Sequence, residues 1–250
     1  MNRPFLFLSG EFRVTMPLVF SNEQWSHSMT ARKLVLNEDG TFRRDNVYTE
    51  RLTGVIYFAD VENEEIRRHN LKFLINNKVP CFPNPKQLLL LDDRHRLMEV
   101  CVNKGLVGHD VCFLTHFPGI EVPLEYPFVI KEGNQHRGLG KHLVTSQEEI
   151  PEWTGVATLE PFFQGVSARA LVLGENIWCL RYDNDSSWIK NSPGCEVSIW
   201  TDAPVALKEH ARKIQREFEL EVCGIDYIVE SDGKIRFLEY NMFPGLDVDD

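Results

Sequence analysis

The strongest constraint on the fold lies near the C-terminal end of the sequence, where two runs of alternating apolar and polar residues flank Asp232-Gly233. The segment reads "EVCGIDYIVESDGKIRFLEYNMF" and covers residues 221–243. Alternation with a period of two predicts β-strands with one buried face. Asp-Gly is the strongest two-residue hairpin signal, because both turn positions take positive φ. The pattern therefore predicts an antiparallel hairpin.

The predicted hairpin brings polar side chains together on one face. Counting outward from a two-residue turn, Asp226 faces Glu239, and Gly224 faces Asn241. Directly opposed carboxylates repel each other and destabilise a bare sheet. A cation between them reverses that effect, and carboxylate and carboxamide oxygens are the ligands that Mg²⁺ prefers. The hairpin predicts a metal site, although a solvated sheet face remains open from these residues alone.

A glycine-rich segment, "YPFVIKEGNQHRGLGKHLV" (126–144), follows an apolar strand that carries Lys131. Gly133, Gly138 and Gly140 would let backbone N–H groups approach phosphate oxygens. The segment lacks the GxxxxGK[ST] pattern of a Walker A loop, and no helix pattern follows as in a dinucleotide fingerprint. Both a phosphate-binding loop and a plain glycine-rich hairpin are consistent with it.

A third polar set occurs within residues 157–192. An apolar strand stops at Glu160, and a hairpin follows whose first strand carries Arg169 among apolar neighbours. That arginine is either an anion contact or an edge residue whose charged end reaches water. Lys190 and Asn191 come after the hairpin.

The remaining pattern alternates strands and helices, which favours an α/β layer in the first third of the chain. Strand-like pieces occupy residues 5–60, and helices are predicted over 62–79 and 85–106. A break at 118–127 suggests a subdomain edge. Residues 206–220 predict an amphipathic helix that covers a sheet.

Composition excludes several classes of protein. The net charge of −10 over 250 residues argues against binding to nucleic acid. No apolar run reaches the length of a membrane-spanning helix. The six cysteines are scattered without a CxxC pair, which favours free thiols in a reducing cytoplasm over disulfides or a zinc site.

Taken in order, these segments resemble the ATP-grasp superfamily over roughly residues 52–246. The nearest branch is similar to the small ligases that glutamylate a ribosomal protein, and D-alanine–D-alanine ligases are more distant. The motifs that carry the resemblance are "NPKQLLLLDDRHRLMEVCVNKGL", "PFVIKEGNQHRGLGKHLV", "LEPFFQG", "ARALVLG", "WIKN" and "GIDYI…LEYNMFPGL".

The resemblance implies a fold of mixed α/β and α+β class. An N-terminal α/β domain (1–85) would precede an ATP-grasp domain (86–250). In the latter, a small lid subdomain (about 118–160) and a C-terminal subdomain (about 161–250) would clamp ATP. The implied activity is carboxylate–amine ligation through an acyl-phosphate, with release of ADP and phosphate.

The resemblance also implies a role for each matching residue. Mg²⁺, or Mn²⁺ in its place, would bind Asp226, Glu239 and Asn241. The phosphates would contact Arg94, Lys131, Gly133, Gly138 and Gly140. The adenine hinge would include Glu160 and the backbone of Phe162. The γ-phosphate and the acyl intermediate would lie near Arg169, Lys190 and Asn191.

The partners implied are small-molecule or peptide carboxylates and amines. Lys190 occupies the position at which the nearest branch usually has arginine. A lysine lacks the planar guanidinium that binds both oxygens of a carboxylate, so the resemblance does not define the acceptor pocket. An ATP-grasp kinase, a ligase with a non-amine acceptor and a non-catalytic ATP-binding regulator are the alternatives. The sequence allows a homo-oligomer but does not predict one, because it contains no apolar stripe that would form a subunit interface.

Overall fold

The structure is a computed structural model of the whole chain. It describes residues 5–9, 27–30, 34–36, 41–44, 50–51, 54–58, 64–91, 93–133, 140–184, 187–189 and 195–242. The chain divides into two compact units, Met1–Asp92 and Asp93–Asp250. The sequence-based boundary at 85/86 and the subdivision of the second domain remain predictions.

The first unit is of α/β type. Its elements are β1 (Phe5–Ser9), β2 (His27–Thr30), β3 (Leu34–Leu36), β4 (Thr41–Arg44), β5 (Glu50–Arg51), β6 (Gly54–Phe58), α1 (Glu64–Asn76), β7 (Cys81–Phe82) and α2 (Pro85–Leu91). Strands β2, β1, β6 and β7 form a parallel sheet in that order. A small antiparallel sheet has the order β3, β4, β5. The predicted alternation of strands and helices in this part of the chain is confirmed.

The second unit contains two antiparallel sheets. Its elements are α3 (Arg94–Asn103), β8 (Cys112–Thr115), β9 (Phe128–Lys131), β10 (Lys141–Val144), a 3₁₀ turn (Gln147–Glu149), β11 (Val156–Pro161), β12 (Val166–Leu173), β13 (Asn176–Asp183), β14 (Glu196–Ile199), α4 (Val205–Phe218), β15 (Val222–Val229) and β16 (Ile235–Asn241). The four-stranded sheet has the order β10, β9, β11, β8. The five-stranded sheet has the order β14, β13, β12, β15, β16.

The single helix predicted over 85–106 is wrong, because the structure has two helices there, α2 and α3. Asp93 is the N-cap of α3, and its carboxylate accepts a hydrogen bond of 3.0 Å from the Arg96 amide. An N-cap of this kind satisfies a backbone donor that the first turn leaves unpaired, so it begins a new helix. The predicted end of the segment at Gly105 is confirmed, since Lys104 caps α3 and Gly105 has a φ of +62°.

The predicted hairpin of β15 and β16 is confirmed, but its turn differs. Gly233 has a φ of +84° and its amide donates to the Glu230 carbonyl, while the Glu230 amide donates to Lys234. This is a three-residue loop with glycine in the left-handed position, rather than the two-residue turn that was predicted. Close to the loop, the pairing is therefore one residue away from the predicted register.

A β-bulge on β16 corrects that offset before the polar residues are reached. The register shifts between Asp226 and Tyr227, which pair with Glu239 and Phe237 and leave Leu238 as the extra residue. Beyond the bulge, the predicted pairs of Asp226 with Glu239 and of Gly224 with Asn241 are both present. Bulges of this kind re-aim side chains next to functional sites.

The five-stranded sheet is covered on one face by α4, which packs against β12 and β13. The predicted apolar face of this helix is confirmed, because Leu207, Ala211, Ile214 and Phe218 are all buried. The opposite face of the sheet carries Arg169, Asp226 and Glu239. The four-stranded sheet has a core of its own, built around Phe128, Ile130, Val144, Trp153 and Leu159.

The structure bears on the membrane-spanning helix and the disulfides that composition argued against. None of the helices in the described ranges has the length and apolar character needed to cross a bilayer. All six cysteines are free thiols, as predicted.

Candidate active site

A cleft in the second unit lies between its two sheets. It encloses about 670 Å³ of space between protein atoms, part of which is open to solvent. Polar and apolar side chains line different parts of it. The polar lining consists of Lys131, Lys141, Glu160, Ser167, Asp226 and Glu239, and the aromatic lining of Phe162, Phe163 and Trp188. The cleft therefore brings together predicted residues from all three polar segments of the sequence.

Lys131 and Glu160 form a buried ion pair at the floor of the cleft. The Lys131 Nζ donates to Glu160 Oε1 at 2.7 Å, and both side chains are almost fully buried. His109 Nε2 lies 3.3 Å from the other carboxylate oxygen. Burial raises the pKa of Glu160, but Lys131 and His109 lower it by more, so its net pKa lies below the ordinary glutamate value. Glu160 is therefore an ionised carboxylate that holds the Lys131 ammonium at the cleft.

Two lysines face each other across neighbouring strands of the four-stranded sheet. Lys131 on β9 pairs directly with Lys141 on β10, and both line the cleft. Opposed like charges destabilise a sheet unless anions lie nearby. Lys141 Nζ is 3.7 Å from Glu239, and Arg94 Nε approaches the same carboxylate at 3.7 Å. Arg94 also lines a smaller adjacent cavity together with Lys131 and Glu160.

On the five-stranded sheet, Arg169 and Asp226 form a bidentate pair. Arg169 on β12 lies directly opposite Asp226 on β15. Its Nε donates to Oδ1 at 2.7 Å and its Nη2 to Oδ2 at 2.9 Å. Burial lowers the pKa of Arg169, but the Asp226 carboxylate raises it by more, so the net pKa lies above the ordinary arginine value. Two of the three guanidinium nitrogens are thus used to orient a carboxylate.

The residues predicted to bind metal lie on one face of β15 and β16. Asp226 faces Glu239, and Asn241 follows two residues later opposite Gly224. Within the residues described, no group of three or more His, Cys, Asp or Glu side chains could hold a metal ion. Two carboxylates and a carboxamide nevertheless fit Mg²⁺, which usually keeps water and phosphate oxygens among its ligands. The bidentate arginine leaves further lone pairs on the Asp226 oxygens, so it does not prevent coordination.

The aromatic end of the cleft lies at the end of β11. The side chain of Phe162 packs edge-on against Trp188, with ring centroids 6.2 Å apart. The Phe162 amide donates to the Pro127 carbonyl at 3.0 Å, so this N–H is used within the protein. The ring of Phe163 makes an edge contact with the ring of His109, and the guanidinium of Arg236 lies over it at 4.9 Å. A flat apolar group fits such surroundings.

The strands that flank the glycine-rich segment, β9 and β10, pair antiparallel. The Glu132 amide donates to the Gly140 carbonyl at 2.8 Å, and Gly133 and Gly140 have φ values of +57° and +65°. Both positions therefore require the left-handed conformation that glycine adopts without strain. Gly138, Lys190 and Asn191 lie outside the described residues, so their predicted roles stay predictions.

Among the charged residues that contact Glu160 or Glu239, two were not predicted, Lys141 and His109. Lys141 follows directly after the last glycine of the loop, which is the one local feature that points to it. His109 had no such signal, because its contact with Glu160 joins positions far apart in the sequence.

Comparison with known proteins identifies the fold. The D-Ala:D-Ser ligase VanG from Enterococcus faecalis matches with a TM-score of 0.73 and 15% identity, over 98% of this chain and 91% of that chain. A RimK domain ATP-grasp protein from Sphaerobacter thermophilus matches with a TM-score of 0.70 and 15% identity, over 97% and 92%. The D-alanine–D-alanine ligase from Bacillus anthracis complexed with ATP matches with a TM-score of 0.67 and 14% identity, over 98% and 87%.

No protein-family model matches the sequence, and a comparison with curated proteins gives no match either. The structural matches extend over nearly the whole of both chains. The expected fold is therefore confirmed: this chain has the ATP-grasp fold, and proteins of both branches that the sequence resembles share it.

Proposed function

We propose that this protein is an ATP-dependent carboxylate–amine ligase that forms an amide bond and releases ADP and phosphate. The observation that carries the proposal is the pairing of like charges in one cleft. Lys131 faces Lys141 on one sheet, and Asp226 faces Glu239 on the other. Each pair is unfavourable alone, but a magnesium-bound triphosphate supplies anions for the lysines and a cation for the carboxylates. The fold shared with ATP-grasp ligases supports the same proposal.

In the proposed mechanism, the chain binds ATP with the adenine at the aromatic end of the cleft. Lys131, Lys141 and Arg94 neutralise phosphate oxygens, and Gly133, Gly138 and Gly140 allow the backbone to approach them. Mg²⁺, bound by Asp226, Glu239 and Asn241, would neutralise charge on the transferred phosphoryl group. Mn²⁺ would use the same ligands. Phosphoryl transfer requires positioning and charge neutralisation more than a protein nucleophile, so this set of groups is sufficient.

The reaction itself has two steps. A carboxylate oxygen of the first substrate attacks the γ-phosphorus, the bond to the β-phosphate oxygen breaks, and ADP leaves. The amine nitrogen of the second substrate then attacks the acyl carbon, the C–O bond to phosphate breaks, and the amine loses a proton to solvent. Arg169 would hold the carboxylate and the intermediate, with Lys190 and Asn191 beside them. The substrates are proposed to be small molecules or peptides, and a cytoplasmic location remains a prediction.

The test is release of ADP and phosphate from Mg-ATP in the presence of pooled carboxylic acids and amines, with mass spectrometry of the products. The ligase predicts acceptor-dependent release of both, and a product mass equal to the two substrates minus water. ADP with a stable phosphorylated product would identify a kinase instead. Binding of ATP without turnover in any pool would favour the regulatory alternative.

A further inference from the structure

The five-stranded sheet carries two parallel rows of side chains that change from apolar to polar across its width. In the first row, Ile199, Leu180, Arg169, Asp226 and Glu239 lie directly opposite one another on β14, β13, β12, β15 and β16. The metal-binding end of this row is therefore continuous with an apolar end. Neighbouring strands are about 4.8 Å apart, so Leu180 is one strand spacing from Arg169 and Ile199 is two.

The second row runs beside the first and has the same polarity. Trp178, Leu171, Gly224 and Asn241 are paired across β13, β12, β15 and β16. Gly224 contributes no side chain between Leu171 and the carboxamide of Asn241. The first row is thus apolar on β14 and β13, the second row is apolar on β13 and β12, and both rows are polar at the candidate metal site.

The apolar half faces away from the helix that covers the other side of the sheet. Ile199 is 68% exposed and Trp178 is 42% exposed. Leu171 and Leu180 between them are half-buried. Large apolar side chains that are exposed together usually mark a surface that binds something. These four residues form one continuous surface with Arg169. A molecule that binds on this surface would therefore also contact Arg169.

We infer that the carboxylic-acid substrate lies across these rows, with its carboxyl group at Arg169 and an apolar body on Leu171, Trp178, Leu180 and Ile199. The inference rests on the proposed ligase function and names the substrate class for it. Arg169 uses Nε and Nη2 on Asp226, which leaves the two N–H groups of Nη1 for a substrate carboxylate. An aromatic ring or a branched aliphatic chain that extends about 5–10 Å from the carboxyl carbon matches the strand spacing.

The experiment separates the acid from the amine. N-acetyl amino acids serve as acids without an amine, and amino-acid amides serve as amines without a carboxylate. The structure predicts that N-acetyl-leucine and N-acetyl-phenylalanine support ADP release with kcat/KM about tenfold or more above N-acetyl-asparagine and N-acetyl-glutamate, because each buried methylene favours binding by about 0.8 kcal/mol.

Substitutions in the apolar part of the two rows test whether these side chains cause the preference for apolar acids. Ile199→Thr combined with Trp178→Gln is expected to raise KM for the apolar acids by about tenfold and leave KM for ATP unchanged. Val205→Thr is the matched control, because Val205 is also an exposed β-branched residue (71%) but lies on α4. Threonine keeps the β-branched shape that suits the edge strand, so Ile199→Thr is compatible with the fold.

Each result has a defined meaning. Equal use of polar and apolar acids, or unchanged KM for the apolar acids in the double variant, would overturn the inference and leave the ligase proposal intact. Sedimentation that shows a wild-type dimer dissociated by Ile199→Thr would assign the surface to a second copy of the chain and also overturn it. Absence of ADP release with every acid and amine would contradict the ligase proposal itself, and the inference would fall with it.

Discussion

Asp226 and Glu239 lie directly opposite each other on β15 and β16, and they do so because Leu238 is an extra residue in the second strand. Without the bulge, the pairing near the loop would place Leu238 opposite Asp226. Phe237 and Glu239 are two residues apart, yet Phe237 is buried beside Tyr227 while Glu239 lines the cleft. The bulge therefore allows one strand to supply a core residue and a site residue in close succession.

The two carboxylates of this pair should respond differently to substitution. Asp226→Asn removes one charge from a buried bidentate pair with Arg169 and leaves the guanidinium uncompensated, which costs about 3 kcal/mol of unfolding free energy. Glu239→Gln relieves repulsion with Asp226 and weakens the contacts at 3.7 Å with Lys141 and Arg94, so the two changes oppose each other and the net effect stays within about 1 kcal/mol. Urea unfolding in the presence of EDTA measures the unfolding free energy of each variant. An equal decrease in the two variants would contradict the pairing of Asp226 with Arg169.

The buried pair of Lys131 and Glu160 makes a second prediction about stability. Lys131→Met leaves the Glu160 carboxylate buried with one donor fewer, and is expected to cost about 3–5 kcal/mol. Adding Glu160→Leu to that variant removes the second charge as well, and should restore most of the lost stability. A double variant that is less stable than Lys131→Met would show that the two residues do not act as a pair. Neither variant is expected to bind ATP.

The pH dependence of stability follows from Glu160. Its pKa in the folded protein lies below its ordinary value, so the unfolded state binds the proton more readily. Its contribution is therefore fully present above the ordinary glutamate pKa of about 4.3 and is lost as the pH falls through the lower folded value. Between pH 7 and pH 5 no change from this group is expected.

Glu160→Gln isolates that contribution. The difference in unfolding free energy between the wild-type protein and the variant should shrink as the pH falls below about 4.3. Chemical unfolding at a series of pH values measures this difference. A difference that did not shrink below about pH 4.3 would contradict an ionised Glu160 in the folded state.

The loop of the β15–β16 hairpin depends on one glycine. Gly233 has a φ of +84°, and an added Cβ would meet no atom within 4 Å, so only the backbone conformation opposes a side chain there. Gly233→Ala should lower the unfolding free energy by about 1 kcal/mol, and Gly233→Asn by less, because asparagine tolerates the left-handed region. Asp232 does not have positive φ. Asp232→Ala should therefore cost less than Gly233→Ala, whereas the opposite order would favour the two-residue turn.

Local sequence patterns predicted the hairpins and the covering helix well, since strand alternation and helical periodicity are properties of short segments. The pairing of Asp226 with Glu239 was correct although the turn was not, because the longer loop and the bulge each shift the register by one residue in opposite directions. Neither shift is visible in the alternation itself. By contrast, the break at Asp93 had a local signal, an N-cap residue before a helical segment, that periodicity alone does not detect.

The site was predicted less completely, because its contacts join distant strands. Glu160 was assigned to the adenine hinge by resemblance, and its role there stays a prediction. The structure adds that its carboxylate pairs with Lys131 and His109. Such contacts depend on the order β10, β9, β11 in the sheet, which no single segment specifies.

Calorimetric titration with a non-hydrolysable ATP analogue, with Mg²⁺ and then with EDTA, tests the central claim most directly. It should be carried out on the wild-type protein and on Glu239→Gln, with Val205→Thr as a control outside the cleft. We expect the wild-type protein to bind the analogue at least about tenfold more weakly without Mg²⁺, because the carboxylates bind the metal and the lysines bind the phosphates. In Glu239→Gln, this dependence on Mg²⁺ should be largely lost. Binding that is equally strong with and without Mg²⁺ in both proteins, or no binding at all, would contradict the account.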